Sequence, residues 1–293
     1  MSKIEVIIPV CRPDKRFYEM LKRLFRQSIK PYRVSLVLTL TDTYGELELI
    51  NGLARAGIRN DRIRVNTIEK NMFDHGGTRQ EAAQRSDAEY CIFMTQDAMP
   101  VDSRLIENLY SAFSKGNIAV SYARQIPYKS ACLKEKFARG YNYPEKTVVK
   151  GIKELNSGSI KSIFCSDVCA MYDMETFRKL GGFVRKTDFN EDMLYAHKAI
   201  KNGYSICYAA EARVYHSHNL SLSDQFNRNR AIAVSQKQHP EVFGTLSSES
   251  EGLSYVRSGL KYILKNGKVA DAAGFILDCG FRFLGYKAGK LKK

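Results

Sequence analysis

Residues 76–97 read GGTRQEAAQRSDAEYCIFMTQD, and this stretch decides the fold. Gly76, Gly77 and Thr78 open a helical segment that runs to Arg85, and Tyr90–Met94 then forms a nearly continuous apolar run. Such a run suits the centre of a sheet covered by helices on both faces. It ends at Thr95, Gln96 and Asp97. Open α/β sheets bind ligands outside the carboxyl ends of their strands, so a carboxylate at that point is placed to face a site.

The flanking sequence keeps the same rhythm. Ile4–Val10 is a short β-rich run, and residues 14–29 space Phe17, Met20, Leu21, Leu24 and Phe25 as on one helix face. Val34–Leu40 and Ile63–Ile68 repeat the strand signal around a helix at Leu47–Ala56; a helix at Ser103–Phe113 and a strand at Ile118–Tyr122 follow. The alternation predicts an α/β fold with a mostly parallel sheet flanked by helices. Residues 125–159 are basic, carry Tyr128, Tyr141 and Tyr143, and read as a substrate-facing excursion. Order returns at Ser166–Asp173, with a helix start at Glu175, a turn at Gly181 and Gly182, a helix over Glu191–Lys201 and a strand over Tyr204–Ala209.

Composition narrows the classes. The 293 residues are 44% hydrophobic and 26% charged, which excludes disordered, collagenous and coiled-coil chains. Forty-six basic against 31 acidic residues give a net charge of +15, which favours an anionic partner without choosing between nucleotide, nucleic acid and acidic lipid. Seven cysteines form no CxxC pair, and Cys165 and Cys169, four apart, lack the partners of a zinc set, so reduced cytoplasmic thiols are expected. The run Val6–Ile8 stops at Pro9 and is followed by Arg12, Asp14, Lys15 and Arg16, unlike a signal peptide, and no apolar run is long enough to span a bilayer. Between Glu251 and Lys293, nine basic residues face three acidic ones, a net +6. Phe275, Ile276 and Cys279 near Phe283 and Leu284, among Arg282, Lys287 and Lys290, predict a basic amphipathic helix suited to an anionic membrane surface. A dimerising helix or a solvated lid would leave a similar pattern.

Four segments together carry a resemblance: IEVIIPV (4–10), FDHGGTRQEAAQRSDAEYCIFMTQDAMPVD (73–102), FNEDMLYAHKAIKNGY (189–204) and RVYHSHNLSLSDQFNRNR (213–230). In this order they resemble the GT-A inverting glycosyltransferases of family 2, and most closely the rhamnosyltransferase branch that builds bacterial surface polysaccharides. The resemblance covers roughly residues 3–240. It implies a GT-A catalytic domain over 1–240, with a nucleotide-sugar half at 1–124, an acceptor half at 125–240 and a helical tail at 241–293. It also implies a nucleoside-diphosphate sugar donor, dTDP-rhamnose or a UDP-sugar, with Mg²⁺ or Mn²⁺. The acceptor implied is a glycan, commonly polyprenyl-linked, and a homo-oligomer is compatible with the tail.

The resemblance assigns roles residue by residue. Asp97 resembles the first carboxylate of a DxD-type element, but Ala98 and Met99 follow it, so other ligands must complete a metal site; Asp102 or a histidine is a candidate. A bland reading of Asp97 is a helix cap after Pro100, a role Asp102 fits equally. Asp192, after Glu191, resembles the catalytic base of an inverting displacement, with Glu191 supporting it; ordinary acidity at a helix start is the competing reading. His216 and His218, two apart in an extended run, resemble the histidine element of the metal site, although two histidines alone do not make one. Gln225 and Arg228 resemble a reduced QxxR element without its aromatic residue, which disfavours a processive synthase. Thr39 and Asp42 stand where the family recognises the nucleotide base. Pro9 and Gln96 belong to the same donor-facing strand ends. His75, Gly76, Gly77 and Arg79 resemble the segment beside the nucleotide sugar, where glycines permit close approach and Arg79 balances phosphate; a glycine turn with a helix cap is the alternative.

Two other classes are weighed. A nucleotidyltransferase would carry a glycine-rich phosphate loop after the first strand, which Pro9–Asp14 lacks, and no GxGxxG supports a dinucleotide-binding oxidoreductase. A basic nucleic-acid or scaffold module explains the charge, but not why acids and histidines fall at strand and helix ends in this order, so no nucleic-acid partner is expected.

Overall fold

A computed structural model describes residues 2–59, 61–247 and 249–291; Lys292 and Lys293 of the basic tail lie outside the described residues. The strands are β1 Ile4–Val10, β2 Arg33–Leu40, β3 Ile63–Glu69, β4 Tyr90–Met94, β5 Met99–Pro100, β6 Ile118–Ile126, β7 Val148–Lys150, β8 Cys169–Asp173 and β9 Ser205–Tyr215. The helices are α1 Lys15–Phe25, α2 Glu46–Arg55, α3 His75–Gln84, α4 Leu105–Tyr110, α5 Leu133–Asn142 and α6 Ile152–Leu155. They continue with α7 Met174–Lys179, α8 Glu191–Lys201, α9 Leu222–Lys237, α10 Pro240–Phe243, α11 Glu249–Asn266 and α12 Val269–Leu291.

The strands form one sheet in the order β3-β2-β1-β4-β8-β6-β9-β5, with β7 also paired to β9. The β3–β2–β1–β4 half is parallel, as the strand–helix alternation predicts. Beyond β4 the sheet is mixed, because β8 runs antiparallel to both β4 and β6. The reason is the connection. β8 is reached through the long excursion after β6, which carries the chain back to the carboxyl end of β4, whereas a single crossover helix would have delivered a parallel strand.

Apolar layers cover both faces. Phe17, Met20, Leu21 and Leu24 of α1 and Leu105, Ile106 and Leu109 of α4 pack on one; Phe93, Tyr172, Phe177, Phe183 and Tyr195 interlock on the other. Asp14 caps α1 by accepting from the backbone amides of Arg16 and Phe17. This helix stops at Phe25 rather than continuing to residue 29, because Gln27 Nε2 donates to the Asp102 carbonyl and Ser28 N to that of Ser103. The excursion contains α5, β7 and α6. Cys165 and Cys169 are buried but share no helix, since Cys169 begins β8 and Cys165 lies in the loop before it.

Both tail helices pack on the sheet domain. Phe137 of α5 meets Ile263 of α11 and Phe275 of α12 in a separate small core. Along α9, α12 approaches closely at two glycines: a Cβ on Gly285 would lie 2.2 Å from the Phe226 carbonyl oxygen, and one on Gly289 2.4 Å from that of Arg230. Buried Asp278 pairs with Lys134 Nζ of α5 and Arg282 Nε of α12, each at 2.7 Å. Among the described residues no helix is long and apolar enough to cross a membrane.

Candidate active site

Parallel pairing of β6 with β9 brings Ile126 opposite Tyr215, so Gln125 and His216 emerge at the same edge of the sheet as the end of β4. There Asp97, His216 and His218 converge, with one ligand atom from each lying within 4.8 Å of the others. His216 Nε2 is 3.5 Å and His218 Nε2 3.1 Å from Asp97 Oδ2, and the two Nε2 atoms are 3.1 Å apart. The histidines follow β9 as irregular chain, and their rings meet edge to face.

Gln125 sets the chemistry of this triad. It is 2% exposed, and its Nε2 donates to Tyr143 Oη at 2.6 Å and Ser166 Oγ at 2.9 Å. Its Oε1 accepts from Arg139 and lies 2.8 Å from His216 Nδ1. An amide oxygen only accepts, so His216 Nδ1 carries the proton and its Nε2 turns a lone pair towards Asp97 and His218. Glu135 Oε1 likewise accepts from Arg139 Nε at 2.7 Å and from the His218 backbone amide at 3.2 Å. A carboxylate oxygen and two imidazole nitrogens directed at one point repel unless a proton or cation lies between them, and this oxygen and nitrogen donor set fits a divalent metal ion. Asp97 is held well below the usual carboxylate range: burial alone would raise it, and the two histidines facing it outweigh that effect. Asp102 takes no part, because it accepts from Arg104 N and pairs with Arg213 at 2.7 Å.

A second cluster lies one link away. Its carboxylates are Glu191 and Asp192 at the start of α8 and Asp167, which immediately follows Ser166. Arg79 on α3, with a side chain 4% exposed, is the guanidinium they share: Nη1 is 3.1 Å from Glu191 Oε1 and Nε 3.6 Å from Asp167 Oδ2. The Asp167 amide donates to Asp192 Oδ2 at 3.1 Å, and Tyr172 Oη to Asp167 Oδ1 at 2.6 Å. Three buried acids cannot all be charged beside one cation. Burial pushes Asp167 well above its ordinary range and Glu191 up to about 7; Arg79 opposes both shifts and the neighbouring carboxylates reinforce them. Burial also raises Asp192, against the hydrogen bonds it accepts from the amides of Asp167 and Met193. Arg79 therefore does not reach out to phosphate, as its place beside the glycines suggests; it is consumed inside.

Several other expectations change with the geometry. Gly76 and Gly77 serve internal packing: a Cβ on the first would lie 2.0 Å from the Val184 carbonyl oxygen, and on the second 2.4 Å from Asp74 Oδ2. His75 stacks on Phe189 and is lowered to about 4 by burial and by Arg79, so it is neutral near pH 7. Gln96 spends both ends of its amide on the backbone of Cys11, accepting at 2.8 Å and donating at 3.0 Å. That pair holds the turn after β1, where Arg12 has a left-handed φ of 44°. Arg12 then lines a cavity of about 230 Å³ with Thr41, Asp42, Glu69 and Lys70, at the carboxyl ends of β1 to β3. Thr39 is buried within β2 and Pro9 partly buried within β1, so neither lines it. On α9, Gln225 is buried and Arg228 exposed; the charge of Arg228 is felt by both His75 and Tyr143. Gln125, Glu135, Asp167 and Arg12 were not singled out from sequence.

The chain is similar to known proteins over most of its length. The family model described as glycosyl transferase family 2 matches residues 5–181. The O-antigen chain rhamnosyltransferase RfbN of Salmonella typhimurium is 34% identical over 292 residues, 98% of this chain and 90% of the relative. WbaN of Salmonella anatum, also an O-antigen chain rhamnosyltransferase, is 35% identical over 227 residues, 76% of this chain and 71% of the relative. Among solved structures, the mannosyltransferase PcManGT from Pyrobaculum calidifontis, in complex with GDP-Man and Mn²⁺, superposes with a TM-score of 0.64 at 11% identity, covering 100% of this chain and 88% of that one. S. aureus TarS 1–349 follows with a TM-score of 0.54 at 14% identity, covering 98% and 90%. At these identities the structural likeness is one of fold.

Two outcomes are expected. Gln125→Leu frees the His216 ring and weakens Mn²⁺ binding, measured by calorimetry, by about ten- to a hundredfold; an unchanged affinity would show that the imidazole needs no such support. For Glu191, below its ordinary value of 4.5 both folded and unfolded chains hold the proton, and between there and about 7 the folded chain holds it more tightly. The contribution of this side chain to stability is therefore full at low pH and lost as pH rises through about 7. Thermal melts of Glu191→Gln should lack that loss, so that relative to the parent protein the variant gains stability as pH rises.

Proposed function

The chain belongs to glycosyl transferase family 2, and from that premise we propose that it transfers L-rhamnose from dTDP-β-L-rhamnose to a hydroxyl of a polyprenyl-linked glycan, with inversion at the anomeric carbon. The two relatives named above favour rhamnose. The observation that carries the mechanism is the three-residue bridge between the clusters: Gln125 holds both His216 and Ser166, and the next amide, that of Asp167, holds Asp192.

Asp192 is the base. It takes the proton of the acceptor hydroxyl as that oxygen attacks the anomeric carbon, and the bond to the diphosphate breaks on the opposite face, with its electron pair leaving on the phosphate oxygen. A raised proton affinity suits this task, and the fixed amides of Asp167 and Met193 orient the carboxylate. Glu191 and Asp167 support it by sharing Arg79. Asp97, His216 and His218 would hold Mg²⁺ or Mn²⁺, which supplies positive charge for the departing diphosphate. Arg228, exposed and without an ion pair among the described residues, is the side chain free to meet that diphosphate; Gln225 supports its helix. Arg12, Thr41 and Asp42 surround the base of the donor.

The acceptor is reached at a membrane surface. On α12, Ile276, Leu277, Phe283 and Leu284 are each more than half exposed, and Lys287 and Lys290 stand beside them. A stripe of this kind suits the boundary of an anionic bilayer on the cytoplasmic side.

Calorimetric titration with dTDP-rhamnose and with UDP-glucose, with Mn²⁺ present or removed by EDTA, tests the donor assignment. Metal-dependent binding selective for dTDP-rhamnose, weakened in Asp97→Ala, is expected, whereas preference for the UDP-sugar would replace the donor. Co-sedimentation with vesicles of phosphatidylglycerol and phosphatidylcholine should fall in a Phe283→Asp, Leu284→Asp variant; binding equal to that of the parent protein would remove the stripe from the account.

A further inference from the structure

A cavity of about 470 Å³ opens at the carboxyl end of β6, where the chain leaves the sheet for α5. Arg124, Lys129, Lys136 and Arg139 line it, and among the described residues no carboxylate does. Arg139 is engaged by Glu135 and Gln125, and Arg124 by the exposed Glu145. Lys129 and Lys136 have no ion pair among the described residues. Four like charges around one space repel each other, and an anion between them relieves that repulsion. Neither the Asp97–His216–His218 triad nor the acid pair lines this cavity, so it is distinct from the site described above, although Gln125 borders both.

What stands beside the cavity narrows the anion. Tyr262 of α11 also lines it, so the tail reaches the basic space. Just beyond, the turn between α11 and α12 presses on the start of α5: a Cβ on Gly267 would lie 2.5 Å from Leu133 Cδ1. Around that turn Lys261, Lys265 and Lys268 are exposed, as are the apolar side chains of Leu264 and Val269, at 57% and 80%. A soluble phosphate would use the cations alone. A phospholipid offers phosphate and hydrocarbon at adjoining depths, which matches a basic cavity with apolar residues on the neighbouring turn. A tyrosine, apolar in its ring and polar at its tip, suits the same boundary.

Resting on the membrane-surface reading above, we infer that this cavity takes the phosphodiester of an anionic phospholipid, while the α11–α12 turn beside it, with Leu264 and Val269, enters the boundary of the bilayer. A headgroup seated there lies against Gln125, the amide that holds His216.

The test uses the full-length protein and co-sedimentation with vesicles of phosphatidylglycerol and phosphatidylcholine at physiological salt. Lys129→Glu, Lys136→Glu should weaken binding to these vesicles by about thirtyfold, and Lys129→Arg, Lys136→Arg, which keep the charge, should bind as the parent protein does. The control is Lys30→Glu, Lys115→Glu, the same change in net charge at exposed positions before β2 and β6, on the opposite edge of the sheet; it should stay within about threefold of the parent. Binding of dTDP-rhamnose unchanged in all variants shows that each is folded. Equal losses in the cavity variant and the control would reduce the effect to net charge and overturn the inference, as would a cavity variant that binds like the parent. Inorganic phosphate in large excess, at constant ionic strength, separates the two sources of the anion: retention on the vesicles is expected, and displacement would make the cavity a site for a free anion. If the parent protein binds no phosphatidylglycerol vesicles, the membrane reading itself fails and this site falls with it.

Discussion

Everything at the catalytic edge depends on one primary amide. Gln125 has two donor hydrogens and two acceptor lone pairs, and all four are engaged: by Tyr143, Ser166, Arg139 and His216. A buried amide so satisfied cannot rotate without orphaning a partner, at a cost of about 1–3 kcal/mol for each group left unpaired. It therefore fixes a histidine tautomer, the last turn of α5 through Arg139 and the approach to β8 through Ser166. The antiparallel course of β8 matters for the same reason, since a parallel strand would have put its first residues, and Asp167 with them, at the opposite edge of the sheet.

The acid cluster shows a different economy. A single guanidinium among three carboxylates leaves negative charge in excess, and the protein relieves it by keeping protons on the deepest acids. Carboxylates this close influence one another's protons, so in the proposed reaction a proton accepted by Asp192 would be shared across the cluster. Arg79 is the residue whose role changes most when structure replaces sequence. Its neighbours Gly76 and Gly77 suggested a ligand-facing loop, but all three face inward.

Strand–helix alternation made β1 to β4 and α8 legible almost to the residue, because apolar periodicity and proline or glycine punctuation are local signals. Asp97, Asp192, His216 and His218 were legible through the resemblance, and the geometry brings the first, third and fourth together. What stayed hidden was long-range. Gln125 lies 91 residues before His216 and Glu135 83 before His218; each sits in a basic, weakly periodic stretch that resembles any loop. The mixed character of the sheet was hidden too, because strand direction depends on the path of the excursion and not on the composition of β8.

The close approach of α12 to α9 at Gly285 and Gly289 carries a consequence for biosynthesis. The sheet, Asp167 and the acid pair of α8 leave the ribosome well before residues 249–291, and domains generally fold as they emerge. An incomplete chain can thus assemble its strands and collect its three carboxylates while α9, with Arg228, still lacks the helix it rests on. Competence arrives last. A nascent chain so ordered can hold the parts of its chemistry without yet being able to use them.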